Sequence, residues 1–90
     1  MQFEYDPEKS MSNSQKHGID FIQAQALWLD SNLFILPSRF LDESRYIAIG
    51  RIGVRYFTGI ITEREDKIRL ISVRHSRKEE IKLYEQNEQK

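Results

Sequence analysis

VRYFTGIITEREDKIRLISVR, residues 54–74, is two runs of β-branched and aromatic residues on either side of a polar Glu65-Asp66 turn. Such runs read as the two strands of a hairpin. With a turn of two or four residues, cross-strand parity is fixed, because side chains alternate between faces. One face then collects Phe57, Ile61, Ile68 and Leu70, with Gly59 and Ser72 between them, and is the expected core. The other collects Tyr56, Thr58, Thr62, Arg64, Lys67 and Arg69, mixed with Ile60, Ile71 and Val73. By the same parity Arg74 and Glu63 fall on the core side, and they meet the cations only around the sheet's end or through a bulge.

Working outward, the chain before the hairpin opens on helix signals. Asp6-Pro7 supplies a capping acceptor and a proline suited to the first helical position, and Gly18 suits a left-handed stop after about Lys16. Asp20 with Gln23 starts a second helix, on which Phe21, Ala24, Leu27 and Trp28 share one apolar face. Leu33–Leu36, ended by Pro37, reads as an edge strand. Residues 38–43 read as a loop, Tyr46–Ile49 as a strand and Gly50–Gly53 as a turn. After the hairpin, Ser76 with Glu79 forms a capping box for a final helix carrying Ile81 and Tyr84. The expected fold is α+β: two N-terminal helices, a four-stranded antiparallel meander and a C-terminal helix, all in one domain over residues 1–90.

Ninety residues, 39% hydrophobic and 31% charged, suit one ordinary globular core. The absence of cysteine excludes disulfides, thiolate metal sites and cysteine nucleophiles. Met1–Ser10 is acidic rather than signal-like, and no apolar run nears the ~20 residues that span a bilayer. A cytoplasmic protein without membrane contact is expected. Net charge is zero but polarised: residues 1–38 sum to −3, 39–63 to +1, 64–82 to +3 and 83–90 to −1. The cationic end is therefore the last third of the chain.

Arg64, Lys67 and Arg69 on one face would have neighbouring Cβ atoms ~5 Å apart, a cluster that an anion such as phosphate relieves. Tyr56 adds a stacking ring, and cations with a stacking aromatic are what single-stranded RNA binding uses. The same side chains also suit a merely solvated sheet face. Arg74, His75 and Arg77 flank the start of the last helix, whose N-terminus favours anions; for Arg74 alone, structural pairing with Glu63, Glu79 or Glu80 is the favoured reading. Lys16-His17 closes the first helix, where a cation is favoured by the dipole, and His17 is also suited to proton exchange near neutrality. There is no glycine-rich phosphate loop, no serine–histidine–acid arrangement and no metal motif, so no cofactor is expected.

Several spaced segments resemble one family. Phe3-Glu4-Tyr5-Asp6, then Lys9, Asn13 and Lys16-His17-Gly18-Ile19-Asp20-Phe21, resemble the opening signature of BrnT-type toxins. Arg45-Tyr46 through Ile49-Gly50, Thr62-Glu63-Arg64 leading into Ile68–Arg74, and Glu79 with Tyr84 extend the likeness over nearly the whole chain. Tyr5 stands where the family favours tryptophan, His75 where arginine is common, and Glu65-Asp66 in place of a glycine-containing turn. The resemblance implies a RelE-like fold and a ribonuclease toxin of a type II toxin–antitoxin pair. It also implies a partner similar to BrnA, a ribbon-helix-helix antitoxin through which operator DNA is bound. The positions it points to are Lys16, His17, Glu63, Arg64, Arg69, Arg74 and Arg77.

Joined to the cationic face, this implies metal-independent RNA cleavage by the substrate's own 2′-OH. Arg64, Arg69 and Arg74 would stabilise the phosphorane, and His17 or Glu63 would move protons. Lys16, Tyr56, Lys67 and Arg77 would bind RNA. The rival is a non-catalytic module of the same fold whose cationic face docks a protein.

Overall fold

The structure, a computed structural model, describes residues 2–38 and 44–88. Asp6 caps helix α1 (Pro7–His17) by accepting the Glu8 N–H at 2.9 Å, and Pro7 occupies its first turn. Gly18 ends it in the left-handed region at φ 73°, donating to the Ser14 carbonyl at 2.9 Å. Asp20 and Gln23 cap each other as expected: the Gln23 N–H donates to Asp20 Oδ1 at 2.7 Å and the Asp20 N–H to Gln23 Oε1 at 3.0 Å. The segment they introduce, Gln23–Leu29, is a 3-10 helix. Phe21, Ala24 and Leu27 are fully buried in this region, each of the larger two contributing about 2 kcal/mol by area.

Five strands form one sheet in the order β1-β5-β4-β3-β2. They are β1 (Gln2–Glu4), β2 (Phe34–Pro37), β3 (Arg45–Ile52), β4 (Arg55–Arg64) and β5 (Lys67–His75), and helix α2 (Lys78–Glu88) closes the chain. The expected four-stranded antiparallel meander behind two α-helices is overturned. The sheet is mixed, because β1 lies parallel to β5 with Phe3 opposite Ile68 and Glu4 opposite Arg69. Three residues carry no readable alternation, and their partner strand lies more than 60 positions away. The expected loop at 38–43 falls mainly outside the described residues.

Glycine placement corrects a second expectation. Gly50 belongs to β3 and is buried, and a Cβ there would meet Leu33 Cδ1 at 2.9 Å and Leu27 Cδ2 at 3.0 Å. Its smallness admits the 3-10 helix against the strand, and the β3–β4 turn is made farther on, at Gly53 with φ 63°.

The β4–β5 turn has two residues, Glu65 and Asp66, both with positive φ. This geometry matches the right-handed twist of a hairpin. Near the turn the parity is the expected one: Arg64 faces Lys67, Thr62 faces Arg69 and Ile61 faces Leu70. The next pair is Ile60 with Ser72, leaving Ile71 as an extra residue in a β-bulge. Beyond it β5 is inverted relative to expectation. Val73 turns into the core at 0% exposure, while Ser72 and Arg74 join the face of Arg69.

Helix α1 is fastened beside the bulge by Asn13, which is buried. Its Oδ1 accepts the Val73 N–H at 3.1 Å, and its Nδ2 donates to the carbonyls of Val73 and Ile19, both at 2.8 Å. The amide completes the edge of β5 beyond the last residue of β1. The core lies between this face of the sheet, α1 and the 3-10 helix, and includes Ile19, Phe57, Ile61, Leu70 and Val73.

On the opposite face α2 covers one end, burying Tyr84 with Ile49 and Thr58. Asp30 ties these layers together: it accepts the Tyr84 hydroxyl and the Arg51 N–H at 2.8 Å and the Asn32 N–H at 2.9 Å. Burial opposes the Asp30 charge, but these bonds and the Arg51 charge outweigh it and lower the carboxyl's pKa. Burial and the bond to Asp30 push the Tyr84 hydroxyl up to about 12.

Asn13→Ala strips bonds from three buried backbone groups and is expected to cost about 3 kcal/mol. Urea denaturation against the wild type measures it.

Candidate functional site

Register brings Arg64, Lys67 and Arg69 onto one face at the turn end of the β4–β5 hairpin, and β1 adds a carboxylate to them. Glu4 Oε1 lies 3.5 Å from Arg69 Nη1 and 3.9 Å from Arg64 Nη1. That oxygen is buried and accepts no hydrogen bond among the described residues. Arg64 stays largely exposed, whereas Arg69 is half-buried. Sequence reasoning missed Glu4 as a site residue because nothing local places β1 beside β5. The available signal was its place in the Phe3-Glu4-Tyr5-Asp6 segment, since three residues of strand carry no readable alternation.

Farther along β5, the bulge opens onto α1. Lys9, Ser12, Lys16 and His17 line a cleft of about 330 Å³ with Asn13, Ile71 and Ser72. Lys9, Ser12 and Lys16 share one side of α1, since residues at such spacings recur on one helix face. Ser72 also belongs to the face carrying Arg69, three residues, or about 10 Å, away along the strand. The cleft and the arginine cluster are therefore two stations along one strand, and Glu4 stands opposite Arg69 at the arginine station.

The remaining candidates lie elsewhere. Glu63 pairs with Ile68 and so points to the face opposite Arg64 and Arg69. Tyr56 lies eight positions from Arg64 on the same strand, about 26 Å away. There it packs edge-on against Tyr84 with ring centroids 5.5 Å apart, under the Arg51 guanidinium. Arg77 stands just before α2, where its N–H donates to Glu80 Oε1 at 2.7 Å. Glu80 therefore performs the capping expected of Glu79. Ser76 instead places its Oγ 2.8 Å from Thr58 Oγ1.

The bulge moves Arg74 onto the cationic face, but under α2. Its Nη1 and Nη2 donate to Glu80 Oε1 and Oε2, both at 2.8 Å. Burial alone would push the Glu80 carboxyl up. Bonds from Arg74, the Arg77 backbone and Thr58, with the Arg74 charge, outweigh it and hold the carboxyl at about 2. The Arg74 pKa is raised, chiefly by its bond to Glu80. This fork is a structural clamp between β5 and α2.

Among the described residues no group of three or more histidine, aspartate or glutamate side chains gathers as metal ligands do. Chemically, the strand offers two arginines and a lysine for an anion, a carboxylate beside them, and an imidazole in the neighbouring cleft.

Residues 5–80 match a family described as the ribonuclease toxin, BrnT, of type II toxin–antitoxin systems. The chain belongs to the BrnT family. Membership brings the ribonuclease character of that family, with RNA as substrate and an antitoxin as partner. The matched span takes in the whole hairpin, the α1 cleft and Glu80, and leaves out Glu4. No curated protein matches the chain significantly. No described helix is long and apolar enough to cross a membrane.

The Arg74–Glu80 clamp has an acid dependence. Its carboxyl is lowered only in the folded state, from an ordinary value of 4.5 to about 2. Its contribution is complete above about pH 4.5 and is lost as pH falls towards 2. Glu80→Ala, which strands Arg74, is expected to cost about 2 kcal/mol near neutrality and progressively less in acid. Urea melts over a pH series would show the two proteins converging.

Proposed function

We propose that this BrnT-family chain cleaves RNA endonucleolytically without a metal ion, arrests growth when unopposed, and is masked by a BrnA-like ribbon-helix-helix antitoxin. The observation that carries this reading is the alignment of Arg64, Lys67 and Arg69 with the Lys9, Lys16 and His17 cleft along one strand. A single-stranded backbone tracking β5 meets cations at both stations.

In the reaction the substrate's 2′-oxygen attacks the adjacent phosphorus and the P–O5′ bond breaks, leaving a 2′,3′-cyclic phosphate and a 5′-hydroxyl. Arg64 and Arg69 hold the phosphate and stabilise charge on the phosphorane; fixed donors of this kind typically supply roughly 10²–10³ in rate. His17 stands in the cleft as the candidate proton donor to the leaving oxygen. Arg74 is assigned to the scaffold, since its guanidinium is already engaged at both nitrogens by Glu80. Tyr56 and Arg77 are left out of the RNA path on position.

The antitoxin reading rests on the rest of that face. Leu36, Ile47 and Ile60 are successive cross-strand neighbours, half-buried, on the same side as Arg45 and Arg69. An amphipathic acidic segment would cover the apolar stripe and neutralise its cationic border.

Induced expression in a bacterial host, wild type beside Arg64→Ala/Arg69→Ala, tests the reading with total RNA monitored over time. Growth arrest with RNA loss is expected from the wild type alone; equal RNA loss from a folded double variant would reassign the site. With purified protein, four phosphate contacts through Lys16, Arg64, Lys67 and Arg69 predict a slope of about −3 for log affinity against log salt. Lys67→Ala should make that slope shallower by about 0.7.

A further inference from the structure

The structure contains two arginine–carboxylate pairs of different build, and the difference assigns a role to Glu4. Glu80 receives both Arg74 nitrogens at 2.8 Å, the geometry of a carboxylate whose work is to hold. Glu4 faces two arginines and bonds neither, with nearest approaches of 3.5 and 3.9 Å. Its Oε1 is shut away from water yet lacks a donor among the described residues, an arrangement that ordinarily costs stability and calls for a reason. The backbone fixes this placement, since β1 is held parallel to β5 with Glu4 level with Arg69. The side chain is 29% exposed, so it is neither sealed in the core nor free at the surface.

The geometry points to Glu4 as the general base of the cleavage reaction, taking the 2′-OH proton of a nucleotide whose phosphate is held by Arg64 and Arg69. This assignment rests on the ribonuclease reading above. An anion gripped by those arginines lies beside Glu4, and the partly exposed part of the carboxylate, rather than the buried Oε1, is what a 2′-OH can reach. As the O2′–P bond forms, the proton passes from O2′ to the Glu4 carboxylate. As the P–O5′ bond breaks, O5′ takes a proton from His17 or water. Loss of the Glu4 proton to solvent, with a proton returned from solvent to His17 where His17 was the donor, completes the cycle. The carboxylate nominated from sequence, Glu63, points to the other face.

The test compares wild type, Glu4→Gln and Glu63→Gln on an RNA oligonucleotide from about pH 3.5 to 9, with affinity measured on the uncleavable 2′-deoxy analogue. Glu4→Gln is expected to lower the cleavage rate about 10²-fold or more and to abolish its acid limb. Its affinity for the analogue should be unchanged or tighter, because one anion has left a cationic cluster.

Cleavage by Glu4→Gln at the wild-type rate overturns the assignment, as does loss of the acid limb in Glu63→Gln instead. A parallel fall in affinity and rate also overturns it, because Glu4 would then only brace the arginines. If Glu4→Gln does not fold, Glu4→Asp decides: a base withdrawn by one methylene should slow cleavage at least about tenfold with the acid limb kept, and an equally fast variant rejects the role. Absence of cleavage by folded wild-type protein rejects the ribonuclease reading itself, and the base with it.

Discussion

The arrangement of both faces of this protein turns on one extra residue in β5. Because side chains on a strand alternate, inserting Ile71 between the Leu70 and Ser72 pairings exchanges the faces of everything beyond it. Val73 enters the core, Arg74 comes to lie beneath α2, and Ser72 leaves the core to border the α1 cleft. Asn13 stabilises the irregular edge by bonding both backbone groups of Val73, and in doing so it docks α1 against the strand. The bulge, the helix attachment and the cleft are thus one construction.

That construction divides the cations of the last third of the chain between two duties. At the far end of β5, Arg74 is committed to Glu80, and with Thr58 and Ser76 it welds α2 to the sheet. At the turn end, Arg64, Lys67 and Arg69 meet no helix among the described residues. The carboxylate there, Glu4, approaches them without a hydrogen bond among the described residues. Similar residue types thus meet their counter-ions in two ways, with the hydrogen bonds closed at Glu80 and not closed at Glu4. Along β5, one end is clamped to α2 through Glu80 and the other is bordered by Glu4.

Much of this was legible because the determining interactions are local. The start and stop of α1, the reciprocal Asp20–Gln23 cap and the two-residue turn at Glu65-Asp66 each depend on residues within a few positions. So does the clustering of Arg64, Lys67 and Arg69, which comes from parity across a short turn. Reasoning failed where a residue's environment comes from afar. Gly50 reads as a turn glycine until Leu27 and Leu33 are seen pressing on it. Parity placed Arg74 with Glu63 because a bulge leaves no mark in the pattern of β-branched residues. Tyr56 reads as a stacking platform until Tyr84 and Arg51 occupy its ring.

By itself, the sequence determined the elements that local chemistry can dictate: the capped helix, the hairpin and its turn, the polarity of charge along the chain, and the family to which its motifs belong. Only the tertiary structure decided which carboxylate meets which arginine. Glu4 and Arg69 are separated by most of the chain, and a three-residue strand acquires its place from the neighbour it pairs with rather than from its own pattern. Arg74 and Glu80 are near in sequence, yet their pairing required the bulge to present the guanidinium on the face that α2 covers. Propensity acts over a few residues, whereas an electrostatic site is defined by distance in space.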